Sequence, residues 1–374
     1  MLRILMMQTT YLLIIIYRIY RSAQVYYLCR DTKRTRIQTM ENLQAILFFI
    51  IGLILLIKAG DWFVDGATGL ARRFHLPDIL IGATVVSIGT TLPEVMVSAT
   101  SAVSGHGEFA YGNAIGSIIC NTALIAAITI AVKPGNVDRS TMKTPVLFYF
   151  TAAVFYAGCA YLKGSFSRLD GIILLILFII YMGISISQAF KEQKLQAKLE
   201  QGASLHDQME DQLEDAFHPL WQDLLLLIVG AALIAVGADL LVDNGTIIAR
   251  MLGVPESVIA LTFIALGTSL PELVTAITSL SKGHGALSLG NIIGANMFNL
   301  VLVSGLSIAL NPFALPAEKM LAGHNASLVI DVPLTFILML LLTLPGLIKG
   351  RLYRWQGVLL LAIYIFFCAF QFLL

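Results

Sequence analysis

Residues 84–94 read Thr84-Val-Val-Ser-Ile-Gly-Thr-Thr-Leu-Pro-Glu94, and residues 262–272 read Thr262-Phe-Ile-Ala-Leu-Gly-Thr-Ser-Leu-Pro-Glu272. Every paired position lies 178 residues apart. The echo runs on at the same offset. Ser104-Gly-His-Gly107 matches Lys282-Gly-His-Gly285, and GNAIGSIICN (Gly112 to Asn121) matches GNIIGANMFN (Gly290 to Asn299). Upstream, AGDWFVDGATGLARRFHLP (Ala59 to Pro77) matches GADLLVDNGTIIARMLGVP (Gly237 to Pro255). The chain is therefore an internal duplication, and each copy carries a proline and a glutamate inside an otherwise apolar stretch.

The setting of those glutamates follows from composition. Of 374 residues, 57% are hydrophobic and 13% charged, with mean hydropathy +0.83. A soluble domain is about half apolar and about a quarter charged. The chain reads as an integral membrane protein, helical because lipid offers the backbone no hydrogen bonds. Ten apolar stretches are predicted as helices: 43–71, 79–103, 109–131, 145–162, 169–189, 221–250, 257–281, 287–310, 326–347 and 353–373. They are too long for the short alternating strands of a barrel. Each is close to or above the roughly 20 residues that a bilayer crossing needs.

Residues 43–189 form a first set of five helices and residues 221–374 a second, joined by a polar, cytoplasmic linker over 190–220. Five is odd, so the second set enters the membrane from the other side. That is an inverted repeat, an architecture shared by many secondary transporters. With both termini outside, the inside loops hold twelve Lys and Arg, among them Arg72, Arg73, Lys133, Lys282 and Arg351. The outside loops hold four: Lys163, Arg168, Arg250 and Lys319. The positive-inside rule selects that orientation. Residues 1–39 break it with seven basic residues, and Met40 opens a normal first helix. Residues 1–39 are read as an upstream extension outside the native protein, with a cytoplasmic basic arm carrying an extra span as the alternative; N-terminal sequencing of the natively expressed protein would decide.

Carboxylates within the bilayer are costly and mark ion paths by default. Pro93 lacks an N–H and crowds the carbonyl of Gly89, so the helix is expected to kink or unwind around Gly89–Thr91; Pro271 acts likewise around Gly267–Ser269. Freed carbonyls, hydroxyls and carboxylates are hard oxygen donors suited to Na+ and Ca2+. Thr90 shares a helix face with Glu94, and Thr268 with Glu272. Ser117 shares a face with Asn121 and Ala295 with Asn299, forming the facing wall. Gly112, Gly116, Gly290 and Gly294 suit close helix contact. Asn113 and Asn291 are expected to bond near helix ends. His106 and His284 suit turns, and the aspartate pairs Asp61/Asp65 and Asp239/Asp243 suit packing or an access path. The acidic patch at Glu210–Asp215 reads as solvated linker, and Cys29, Cys120, Cys159 and Cys368 as free thiols. No nucleic-acid patch, zinc motif or G-x-S-x-G is present, which disfavours an intramembrane hydrolase.

At these residues the chain resembles the cation/calcium antiporter superfamily, and within it the bacterial sodium/calcium exchangers, whose repeats follow G-T-[ST]-x-P-E and G-N-x-x-G-S-x-x-x-[ND]. The resemblance covers about residue 45 to the end. It implies an all-α integral membrane protein of the bacterial inner membrane, with ten transmembrane helices in two inverted five-helix repeats (the sodium/calcium exchanger fold). It implies four cation sites at the centre. Glu94 and Glu272 would be shared Ca2+ ligands. Thr90, Thr91, Thr268, Ser269 and Ser117 would supply further oxygens, the carbonyls of Ser87 and Ala265 would line Na+ sites, and Asn121 and Asn299 would complete the ring. Three positions depart from the pattern. Ala295 replaces a serine, Asn299 stands where some members have aspartate, and Ile118 stands where many have asparagine. The function implied is Ca2+ export in exchange for Na+, not enzymatic catalysis. H+/Ca2+ exchange is the alternative, and a non-transporting cation sensor a third reading. Ca2+ and Na+ are cargo; no cofactor and no protein partner is called for.

Overall fold

The computed structural model describes residues 34–74, 76, 78–200, 219–251, 267–316, 320–321 and 323–371. Two units divide the chain, Met1–Leu47 and Phe48–Leu374. Within the first, the described residues form the opening turns of helix α1, Arg34–Arg73, which passes through Met40 without a break. Nine further helical runs follow among the described residues. Run α2 covers 78–103, as Asp78–Ile81, a wider π segment Gly82–Val86 and Ser87–Val103. Then come α3 (Gly107–Val132), α4 (Arg139–Lys163), α5 (Arg168–Glu200), α6 (Leu220–Met251) and α7 (Leu270–Ser281). Last are α8 (Gly285–Leu310), α9 (Ser327–Lys349) and α10 (Arg354–Gln371).

Each predicted span overlaps one of these runs; the parts 257–266 and 372–373 lie outside the described residues. Among the described residues, seven helices (α1, α3, α4, α5, α6, α8 and α9) are long and apolar enough to cross a membrane. The protein is a multi-pass integral membrane protein. Its surface shows why: large apolar side chains such as Leu147, Leu162, Ile179 and Phe366 point outward, while Glu94, Glu272, Asn121 and Asn299 are fully buried. Lipid accepts the first set, and only the protein interior can house the second. The predicted linker begins as helix, since α5 continues to Glu200; residues 201–218 lie outside the described set.

Two apolar cores organise the bundle. The larger joins α3, α4, α5, α8, α9 and α10, with α3 and α8 at its centre. The smaller joins α1 and α6 over the start of α2. Glycines let α1 and α6 touch backbone to backbone. A Cβ on Gly52 would lie 3.0 Å from the nitrogen of Leu241, and one on Gly230 would lie 2.7 Å from the nitrogen of Phe63. At the other end of this pair, Arg73 meets Asp223 at 3.5 Å. The end of α1 therefore lies beside the start of α6, and the two helices run antiparallel.

The connections fix the remaining ends. Strand β1 (Ser165–Phe166), between α4 and α5, pairs antiparallel with β2 (Phe313–Ala314), just beyond α8. Asn136, between α3 and α4, bridges to Arg351, between α9 and α10. Helices α3 and α8 thus finish on opposite faces. A small hairpin of β3 (Met320–Leu321) and β4 (His324–Asn325) precedes α9. The face where α5 ends and α6 begins is called the linker face below, and the other the far face.

Candidate ion-binding site

Glu94 on α2 and Glu272 on α7 lie at the centre with no solvent exposure, within electrostatic reach of each other. The helices present them differently. In α2 the predicted opening around Gly89–Thr91 does not occur: Ser87–Val103 is continuous α-helix with Pro93 inside. Pro93 removes a single N–H, and Gly89 is held against the ring of Phe63, where a Cβ would sit at 3.1 Å. The slack lies a turn earlier, in the π segment Gly82–Val86, where the Ser87 hydroxyl donates to the Gly82 carbonyl at 2.7 Å. In α7 the expectation holds. Thr268 and Ser269 are in turn conformation, and the helix starts at Leu270 with Pro271 in its first turn, where a missing N–H costs nothing.

Threonines and asparagines cross between the repeats. Thr90 donates to Asn291 Oδ1 at 3.2 Å, and Thr268 donates to Asn113 Oδ1 at 3.2 Å. Thr91 reaches Glu272 Oε1 at 3.4 Å. Asn113 also donates to the Glu94 carbonyl at 3.3 Å and to Ser98 at 2.8 Å. These asparagines therefore hold site threonines instead of bonding near helix ends. Sequence pattern paired Asn113 with Asn291 but gave no sign of a cross-repeat partner.

Buried polar atoms are nearly always hydrogen-bonded. Among the described residues, both oxygens of Glu94, Oε2 of Glu272, the Ser269 hydroxyl and all four amide atoms of Asn121 and Asn299 are buried without a hydrogen-bond partner. Asn121 and Asn299 each open a π segment, Asn121–Ala126 and Asn299–Val303, with backbone angles of −57° and −41° at both. Such segments recur at functional sites because they re-aim side chains. The first packs on α7, the second on α2 and α3. Ser117 is buried on α3, one turn before Asn121. Together these are hard oxygen donors around two carboxylates, a set suited to Na+ or Ca2+. Among the described residues no three His, Cys, Asp or Glu side chains come together. Ala265 lies outside the described residues.

A cavity of about 810 Å³ lies on the far-face side of this centre, lined by Pro93, Asn113, Gly116, Asp239, Thr268 and Pro271 among others. It corrects one expectation. A Cβ on Gly112 or Gly116 meets nothing within 4 Å, so these glycines border open space instead of a helix. Gly294 does serve close contact, its added Cβ falling 2.7 Å from Ala83 Cα. His106 and His284 sit in turns, each at a helix start after a glycine of positive φ (Gly105, 86°; Gly283, 90°). Asp61 and Asp65 bond to Lys282, while Asp239 and Asp243 line the cavity. Cys120, Cys159 and Cys368 are free.

A buried carboxylate pair between two repeats, with hydroxyl and amide groups on the same helices and a cavity on the far-face side, suits a membrane carrier of cations. Comparison with known proteins agrees. The model of the family described as "Sodium/calcium exchanger protein" matches twice, over residues 44–187 and 223–373, and the chain belongs to that family. It is 36% identical to the inner membrane protein YrbG of Escherichia coli, over 72% of this chain and 81% of YrbG. It is 28% identical to the sodium/calcium exchanger MaX1 of Methanosarcina acetivorans, over 86% of this chain and 96% of MaX1. Among solved structures it is similar to the sodium-calcium exchanger NCX_Mj soaked with Na+ and Sr2+, with a TM-score of 0.70 at 32% identity, covering 87% of this chain and 98% of that one. The chain is thus a cation/Ca2+ antiporter by family and fold.

Proposed function

We propose that this protein exports Ca2+ across the bacterial inner membrane in exchange for Na+, with Glu94 and Glu272 as the shared Ca2+ ligands. The observation that carries this reading is the buried pair itself: among the described residues neither oxygen of Glu94, nor Oε2 of Glu272, nor any side-chain amide atom of Asn121 and Asn299 has a hydrogen-bond partner. Two carboxylates hold a charge of −2. One Ca2+ neutralises it, as do two Na+ or two protons. An empty pair is costly in a medium of low polarity, so the core crosses between faces most readily when loaded, which is the basis of exchange. Thr90, Thr91, Thr268, Ser269 and Ser117 complete the oxygen set, and the carbonyls of Ser87 and Ala265 border the Na+ positions. Ala295 leaves the second repeat one hydroxyl short.

The reading includes ten crossings in two inverted repeats, 43–189 and 221–374, with the 190–220 linker in the cytoplasm. Reciprocal contacts support it. Gly52 meets Leu241 and Gly230 meets Phe63; Thr90 meets Asn291 and Thr268 meets Asn113. In each case both residues move by 178 positions and exchange partners. That reciprocity is the mark of a two-fold relation, and the antiparallel α1–α6 pair suits an axis in the membrane plane. The separate α1–α6 core suits a unit that rocks or slides over the rest.

The test is 45Ca2+ uptake into proteoliposomes loaded with Na+, with a protonophore present and K+ absent. Uptake that requires internal Na+ is expected. Uptake driven only by an internally acid pH gradient would move the protein to the H+/Ca2+ class, with both glutamates as proton carriers. No Ca2+ flux under either gradient would leave a cation sensor.

A further inference from the structure

Each repeat carries two aspartates one turn apart, Asp61 and Asp65 on α1, Asp239 and Asp243 on α6. Their surroundings are not equivalent. Lys282, just beyond α7, donates to Asp65 Oδ1 at 2.7 Å and to the Asp61 carbonyl at 2.9 Å, and lies 3.6 Å from Asp61 Oδ1. Beside this contact α1 rests on α7 without a gap: a Cβ on Gly60 would fall 2.6 Å from Val274 Cγ1 and 2.9 Å from Thr278 Oγ1. On the far face the matched residues diverge. Asp239 and Asp243 line the cavity together with Ala238, the counterpart of Gly60. Neither aspartate has a counter-ion among the described residues. The counterpart of Lys282 is Ser104, which carries no charge.

We propose that Lys282 is a one-sided latch that sets the sidedness of transport. It ties α1 to the end of α7 on the linker face, holding that entrance shut, and Ser104 leaves the far entrance without an equivalent. The inference rests on the alternating-access reading above. Two consequences follow from charge. Opening the linker face requires breaking the Lys282 contacts, so that state is disfavoured. Cations approaching from the far face meet two uncompensated carboxylates, whereas on the linker face Lys282 offsets them, so the far entrance concentrates cations more strongly. Lys282 is 27% exposed and Asp65 54% exposed, so the pair biases the equilibrium instead of locking it. Pairs of that exposure shift populations by about twofold to fivefold.

The test uses the full chain in detergent, where both faces are accessible, with Thr278→Cys as reporter. Thr278 is buried where α7 meets α1, so its modification by a hydrophilic maleimide tracks opening of the linker face. Modification is read by mass spectrometry of the labelled peptide, and Cys368 in the cavity reports the far face. Lys282→Ser should raise the modification rate at position 278 by about twofold to fivefold. Exchanging the partners, Lys282→Asp with Asp65→Lys, should return it. Ser104→Lys, which builds the matching latch, should slow modification of Cys368 and raise that at 278. An unchanged rate at 278 in folded Lys282→Ser protein, with the partner exchange also without effect, overturns the latch. Labelling needs no transport. Lys282-dependent labelling in a protein without Ca2+ flux would uphold the latch and sink only the antiport reading.

Discussion

Thr90 donates its hydroxyl hydrogen to Asn291 Oδ1 across the repeat boundary, 3.2 Å away. A threonine has one proton and two lone pairs. With the proton committed to Asn291, the lone pairs remain for a cation beside Glu94 and Glu272. Thr268 and Asn113 repeat the device at 3.2 Å. If Asn291 is shortened, the Thr90 proton turns to a carboxylate and competes with the ion.

Asn291→Ala should therefore weaken apparent Na+ and Ca2+ affinity, and Asn113→Ala should do so less. The Ser87 hydroxyl also lies 3.3 Å from Asn291 Oδ1, an atom the substitution removes, whereas Ala265 has no hydroxyl to offer Asn113. Losing a buried partner costs about 1–3 kcal/mol, which corresponds to roughly 5-fold to 150-fold in affinity. Half-saturating Na+ and Ca2+ in proteoliposome flux would measure it. Equal effects of the two substitutions would show that Ser87 plays no part.

Glu94→Gln and Glu272→Gln should each reduce Ca2+ flux to the level of empty vesicles. The folded protein should survive, since a neutral amide is cheaper to bury than an uncompensated carboxylate. Thermal unfolding in Ca2+-free detergent should be unchanged or shifted upward. A downward shift would mean that the carboxylates serve the packing, and flux that persists in either variant would place the ion elsewhere.

On the proposed site, Ala295→Ser should raise apparent Na+ affinity by adding the hydroxyl that Ser117 would supply in the first repeat. Ala295 is fully buried on α8, one turn before Asn299, so the new hydroxyl would enter the oxygen set directly. The Na+ dependence of 45Ca2+ uptake is the readout. An unchanged curve would mean that a carbonyl or water already serves that position.

Helices and chemistry were legible in the sequence for different reasons. Apolar length located the helical runs, and duplication made the Glu94–Glu272 pair stand out from a background in which buried charge is rare. What stayed hidden depends on register between distant segments. Nothing local in GATVV, NTALIA or NLVLV announces a π segment, because the extra residue is accommodated by packing and not by any residue's own preference. Pro93 and Pro271 occupy matched positions, yet only the second begins a helix; Gly89 is pinned by Phe63 from another helix. Lys282 and Ser104 could be paired by alignment, but only the fold brings Lys282 to Asp61 and Asp65.

Matched glycines make the final prediction, because symmetry of sequence meets asymmetry of state. Gly116 and Gly294 are counterparts, yet a Cβ on Gly116 would meet nothing within 4 Å while one on Gly294 would fall 2.7 Å from both Cα and O of Ala83. Backbone cannot yield as a flexible side chain can, and overpacking of this kind costs about 1–3 kcal/mol. Gly294→Ala should therefore lower thermal stability in detergent. Gly116→Ala should leave it unchanged but slow exchange, because its methyl group enters the cavity and must be cleared when the far face closes. Stability curves and initial rates of Na+-dependent Ca2+ uptake, taken on both variants, separate the two. If Gly116→Ala lowers stability as much as Gly294→Ala, the resting protein does not favour the state open to the far face.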